Sequence, residues 1–272
     1  MEHARRSPLT ALERALRRDR ALVWLGLVCV LAPVWLYLVR ASRDMYGAMT
    51  GPAAWMMHAS WDASYCALIF AMWSLMMAGM MLPSAVPAVL IFARVARSGP
   101  EPDRPVLRAY LFAAGYVACW AAFSAAATAL KALLARTALL TPMMESASPY
   151  LAAAILGIAG AYQWSRAKRA CLARCRTPAS FIVEHWRKGA LGAFEIGAAH
   201  GAWCVGCCWA LMLILFAGGV MSLAVIATLS VMVLFEKLAP AGRLREWSDR
   251  AIGTALVAAA IALVLVQLRG GA

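Results

Sequence analysis

The sequence predicts an all-α, polytopic transmembrane bundle of about seven spans, with the N-terminus inside and the C-terminus outside. Three observations lead there. Hydrophobic residues make up 64% of the 272 positions and charged residues only 14%, with a mean hydropathy of +0.72. A soluble domain cannot bury that share of apolar side chain. Apolar runs of spanning length recur roughly every 25 to 40 residues, and helices are the spanning element that suits such runs. Lys and Arg also alternate: 21 of the 26 fall on one side of the membrane if the N-terminus is cytoplasmic, the arrangement the positive-inside rule favours. The net charge of +13 is therefore a matter of orientation in a bilayer, and nucleic acid is not an expected partner.

The chain reads as one integral membrane domain over 1–272. Its basic, amphipathic start, ALERALRRDR, leads into the first span, Leu22 to Val39, with no small-residue cleavage site after it. That span is expected to stay as an anchor. Pro33 is tolerable inside it, because neighbouring helices can satisfy the freed carbonyl. A polar-aromatic segment from Arg40 to Asp62 carries Tyr46, Trp55 and Trp61, residues that suit an interfacial belt.

Span two starts near Ser64, with Pro83 and Pro87 expected to kink it or end its regular ladder. A loop from Arg94 to Arg108 leads into span three, about Val106 to Leu130. Lys131 to Ser148 connects to span four, roughly Tyr150 to Trp164, with Pro142 and Pro149 bracketing a helix break. A basic loop, Arg166 to Lys188, precedes span five, Glu195 to Phe216. Gly218-Gly219 turns the chain into span six, Val220 to Leu238, as a helical hairpin. Pro240 and Gly242 end that helix, and span seven is Ile252 to Leu268. No internal repeat is evident, which disfavours an inverted-repeat transporter.

Span five carries the chemistry. His200, Cys204, Cys207 and Cys208 fall at i, i+4, i+7 and i+8, one face of a helix turning about 100° per residue. Ionisable groups inside a membrane are expensive and point to function. The plainer reading is packing, since cysteine also serves as a small hydrophobe. On span two, Met72, Met76 and Met80 form a ridge at i, i+4 and i+8. Counting from the outer ends places this ridge roughly 12 to 24 Å deep and the thiol and imidazole face roughly 14 to 26 Å deep, at matching levels. Met77 and Met81 fall on another face and read as packing. Thioether, thiolate and imidazole make a soft donor set that favours Cu(I), with Zn as competitor.

Two further groups flank this site. Met45, Met49, Met56, Met57 and His58 lie in the outer segment, expected to be exposed, and Cys171, Cys175 and His185 lie in the inner loop. Met56, Met57 and His58 could collect an ion, and Cys171, Cys175 and His185 could receive it. The acids Glu195 and Glu236 read as partners of Arg187, Lys188 or Lys237, and Trp203 and Trp209 as packing.

At WSLMMAGMMLP (Trp73 to Pro83), CLARCRTP (Cys171 to Pro178), HWRKGALGAFEIGAAHGAWCVGCCWALM (His185 to Met212) and FEKLAPAG (Phe235 to Gly242), the chain resembles a bacterial family of predicted metal-binding integral membrane proteins. HGxxCxGCCW is the specific string. The resemblance covers Trp73 to Gly242, leaving the first and last spans as additions. Members often carry a histidine before the second cysteine of the CLxxC loop; Arg174 stands there in this chain, which leaves His185 as the nearby imidazole.

The leading expectation is a bacterial inner-membrane protein that binds, and passes on, a soft transition metal, Cu(I) before Zn. Its partners would be the lipid bilayer and a metallochaperone or metalloenzyme assembly factor. An intramembrane thiol-disulfide oxidoreductase is the alternative, because Cys204-x-x-Cys207 has the usual redox spacing. A structural membrane subunit with packing cysteines is a third. The sequence offers no nucleophile–base pair, no paired intramembrane carboxylates and no phosphate-cradling loop, so it reads as a binding protein more than an enzyme.

Overall fold

The computed structural model describes residues 8–50, 52–57, 61–99, 103–141, 143–239 and 243–270. His58, Pro142, Pro240 and Gly242, each given a role above, lie outside the described residues. The regular elements described are helices: α1 (Pro8–Met45), α2 (Pro52–Met57), α3 (Ala63–Ser98), α4 (Pro105–Arg136), α5 (Pro149–Gln163), α6 (Arg166–Arg176), α7 (Pro178–Glu184), α8 (Gly189–Met212), α9 (Ile214–Gly218), α10 (Leu223–Leu238) and α11 (Arg243–Gly270). The β pairing among the described residues is one isolated bridge, Leu140 with Ser146.

Five stretches are long and apolar enough to cross a membrane: Glu13–Met45, Ala63–Ser98, Pro105–Arg136, Gly189–Gly218 and Arg250–Arg269. Among the described residues, helices of that length and apolarity stand at five of the seven expected spans. The helices expected as spans four and six, α5 and α10, have 15 and 16 residues. A perpendicular crossing of the hydrocarbon core takes about 20.

Helix α3 runs through both Pro83 and Pro87, so neither proline ends it. Proline at 83 removes the N–H that would bond the Gly79 carbonyl. Trp35 Nε1 on α1 donates to that oxygen at 3.1 Å, so a neighbouring helix replaces the lost bond. The antiparallel α1–α3 pair is closed at its other end by Arg97, which holds both oxygens of buried Asp19 at 2.6 and 2.8 Å.

The most extensive helix pair is α4 with α8, and its closeness comes from glycine. A Cβ on Gly197 would lie 2.0 Å from the Phe112 carbonyl oxygen, and one on Gly115 2.0 Å from that of Phe194. Small residues are what allow backbones to approach this closely inside a membrane protein. Phe112 meets Gly197 and Tyr116 meets Gly201, so the contacts advance together and the two helices run parallel. The chain between them must therefore return along the bundle, which α5 does, lying against α11.

Two connections differ from expectation. The basic loop after α5 folds into α6 and α7, and α6 packs on α8. Helices α8 and α10 do not form a tight hairpin; α8 rests chiefly on α4, and α10 on α3. The turn between them is where the sequence put it, with Gly219 at φ +92°. A side chain there would strike Tyr46 Oη and Glu145 Oε1 at 2.6 and 2.8 Å.

Candidate metal centre

On α8 the expected face is buried: Cys204, Cys207 and Cys208 are 0%, 1% and 0% exposed and His200 3%. The three Sγ atoms lie within 4.8 Å of one another. Their placement begins with local bonding. The thiols of Cys207 and Cys208 donate to the Cys204 carbonyl oxygen at 3.1 and 3.0 Å, the back-bond that a helix offers to side chains three and four residues on. Cys204 Sγ itself is turned outward from the helix to two other partners. Lys237 Nζ is 2.8 Å from it and Tyr116 Oη 3.0 Å.

Each partner is itself held. Lys237 Nζ, near the end of α10, also donates to Ser84 Oγ on α3 at 2.7 Å. Tyr116 Oη on α4 donates to the Met81 carbonyl oxygen on α3 at 3.1 Å. Met81 Sδ lies 4.0 Å from Cys208 Sγ. The fourth thiol comes from α6: Cys175 is buried against Cys204 and Cys207.

Helix α6 reaches the centre because one of its faces is secured. Lys168, Leu172 and Cys175 share a buried stripe at i, i+4 and i+7, with Arg169 and Arg174 on the exposed side. Lys168 Nζ bonds both carboxylate oxygens of Glu236 at 2.8 and 2.7 Å, and both side chains are 1% exposed. Arg176 donates to the Glu236 carbonyl oxygen at 2.6 Å. Glu236 therefore pairs with Lys168, not with its expected partners, and frees Lys237 for the thiols. Glu195 does pair with Arg187, as expected.

Cys175 was read as part of a separate inner group, yet it adjoins the buried cluster. Cys171 is half-buried one turn away and fills the space beside Gly206, where a Cβ would meet its sulfur at 2.8 Å. His185 is partly exposed and stacks on Phe181 at 4.6 Å, its Nδ1 3.0 Å from the Phe181 carbonyl oxygen. His200 stands one turn before Cys204 among the rings of Phe112, Tyr116 and Phe181, with centroids 5.6 to 6.0 Å away. It lies outside the compact thiol group, and its Nδ1 has no hydrogen-bond partner among the described residues.

The methionines sort differently from expectation. Met72, Met76 and Met80 are buried in the core, but the thioether brought to Cys208 is Met81, which had been read as packing. Depth counted from the span ends sets Cys208 beside Met72 and Met76, about two turns from the Met81 that it meets. In the outer group, Met45 and Met56 are buried at 1% and 2%, not exposed, while Met57 is half-buried.

Sequence reasoning missed Lys237, Tyr116 and Ser84. Lys237 had a signal, as a cation at the end of an apolar helix beside an acid, but the acid was the obvious partner. Tyr116 and Ser84 had none.

Four thiols, a thioether and an unpartnered imidazole nitrogen suit a soft metal ion; few oxygen ligands are present for calcium or magnesium. Fold and site together define an all-helical, membrane-type protein with a buried polythiol centre. A family model described as PpoB2, copper chaperone, matches residues 70–263, from α3 to α11, and the chain belongs to that family. No curated protein and no solved structure matches the chain. The metal-binding family implied by the sequence motifs is consistent with this, and family and thiol cluster together suggest copper binding.

Proposed function

We propose that the protein carries Cu(I) within the bacterial inner membrane and hands it to a metallochaperone or metalloenzyme assembly factor. The observation that carries this reading is the convergence of Cys204, Cys207 and Cys208 within 4.8 Å inside the bundle, in a chain of a copper-chaperone family. Cu(I) is content with two or three soft ligands, which this cluster offers without exposing any of them to water.

The seven-crossing, N-inside topology belongs to the same proposal. Parallel α4 and α8 require a return pass, and a tilted or locally thinned bilayer accommodates a helix as short as α5. In that topology the Cys171, Cys175 and His185 group faces the cytoplasmic side, with Cys175 as the cluster's neighbour. Met56, Met57 and His58 stand on the outer side as collectors, and Met72, Met76 and Met80 lie along α3 between. His200, one turn before Cys204 with its Nδ1 unpartnered among the described residues, is a further ligand of the centre in this reading.

The test is metal content. Purified protein is loaded anaerobically with Cu(I), washed with a competing chelator and analysed beside a variant with Cys204, Cys207 and Cys208 replaced by Ser. Stoichiometric copper that the triple variant fails to keep is the expected result, and equal retention by both proteins overturns the proposal. Thiol–disulfide exchange is the second reading, favoured by the ammonium on the first cysteine of Cys204-x-x-Cys207. It predicts oxidant-dependent protection of these thiols from alkylation in metal-free protein.

A further inference from the structure

We infer that the ammonium of Lys237, fixed between Ser84 Oγ and Cys204 Sγ, makes the thiol centre selective for monovalent soft cations over divalent ones. The inference rests on reading the cluster as a metal site and names the charge of its cargo.

Lys237 is 8% exposed, and its Nζ makes hydrogen bonds of 2.7 Å to Ser84 and 2.8 Å to Cys204. It also lies 6.0 Å from the Tyr116 ring centroid, a third contact that suits a cation. Helix α10 supplies an acid next door, but Glu236 turns both oxygens to Lys168. The Lys168–Glu236 pair is thus neutral as a unit, and Arg176 adds a further positive group on the far side at the Glu236 carbonyl. Met81, Ser84 and Tyr116 bring no fixed charge to balance Lys237. Among the described residues its counter-charge is left to sulfur, with Cys204 the nearest.

An ion bonded to Cys204 Sγ at about 2.3 Å must lie within about 5 Å of the ammonium. One unit charge repels a divalent ion twice as strongly as a monovalent one. At that distance and an effective dielectric near 20, the difference amounts to a few hundredfold in affinity as an upper figure. The two back-bonded thiols point the same way. Cys207 and Cys208 donate to a carbonyl, so Cys204 is the sulfur that faces the ammonium. A monovalent ion needs fewer anionic sulfurs than a divalent one to reach a neutral total beside Lys237. Lys237 is therefore a specificity-determining residue that acts through the sulfur it faces.

The experiment compares Ag(I), a stable stand-in for Cu(I), with Cd(II), equally thiophilic and doubly charged. Competition binding is measured on the full-length protein and on Lys237→Met and Lys237→Arg, with the sulfur-to-cadmium charge-transfer band as spectroscopic readout. The natural protein is expected to load Ag(I) and leave Cd(II). Lys237→Met is expected to shift the ratio towards Cd(II) by tenfold or more, and Lys237→Arg to stay within a fewfold of the natural ratio. A ratio unchanged in Lys237→Met, with both ions still bound at the cysteines, overturns the inference and leaves the metal-site reading standing. Should Lys237→Met fail to fold, the natural protein decides: Cd(II) loading equal to Ag(I) overturns it. Failure of the natural protein to bind either ion sinks the metal-site reading itself.

Discussion

Lys237 Nζ and Cys204 Sγ, on helices that reach the centre from different parts of the chain, are 2.8 Å apart. In the same contact shell, Tyr116 Oη comes within 3.0 Å of that sulfur. The pair explains how an apolar bundle tolerates a lysine, because cation and sulfur desolvate together and each satisfies the other.

Removing the sulfur alone should therefore cost more than its removal costs once the ammonium is gone. Cys204→Ala leaves Lys237 a buried cation without its sulfur, at a cost of about 3 to 5 kcal/mol. Lys237→Met alone is expected to be milder, and the double variant less destabilised than the sum of the two. Thermal unfolding of the purified variants, read as a double-mutant cycle, checks this; simple additivity would deny the coupling.

The Lys168–Glu236 pair fastens α6 to α10, with both side chains 1% exposed. Glu236→Gln leaves Lys168 buried and unpaired, again costing about 3 to 5 kcal/mol. Because Cys175 rides on α6, its alkylation by a small maleimide is expected to speed up in that variant. An unchanged rate with lowered stability would mean that α6 is held by other contacts.

The α4–α8 seam allows no side chain at Gly197. In Gly197→Leu, the added atoms meet the Phe112 carbonyl, where even a Cβ would lie 2.0 Å away. The helices must part, carrying Tyr116 from Cys204. Lower yield of folded protein and weaker Ag(I) binding are expected together; full binding with reduced stability would separate seam from centre.

Outside the spanning helices, Tyr46 donates to Glu145 Oε1 at 2.7 Å. Burial, then the hydrogen bond and charge of Glu145, push its pKa up from 10.0 to about 12. The folded state holds this proton more tightly than the unfolded chain does. The contribution to stability is complete below pH 10 and is lost as pH climbs through about 12. Tyr46→Phe is expected to remove that alkaline step from the pH–stability profile. A step that persists in the variant assigns it to another group.

The helical class was legible because hydropathy is a sum over many residues and tolerates local error. The thiol face was legible because Cys204, Cys207 and Cys208 belong to one helix, whose period fixes their relative direction. What failed were relations between helices. Met81 falls about 100° around α3 from Met80 and reads as packing, yet it is a thioether that meets Cys208. Lys237 was assigned to the acid beside it in sequence, whereas successive helical positions point about 100° apart and meet different neighbours. Gly197 and Gly201 carry an interhelical signal in the string, a small-xxx-small pair, and it marks the seam with α4.

That seam has a mechanical corollary. Backbone meets backbone there, so the wall formed by α4 and α8 has nothing to compress and no rotamer to swing. Against α8 lies α6, an 11-residue segment whose outer face is arginine-rich and whose inner face packs on α8 and is clasped to α10 through Lys168 and Glu236. Cys175 is carried on that segment, so a displacement of α6 would carry a sulfur with it. Shifting α6 and altering the set of sulfurs are, in this architecture, one event.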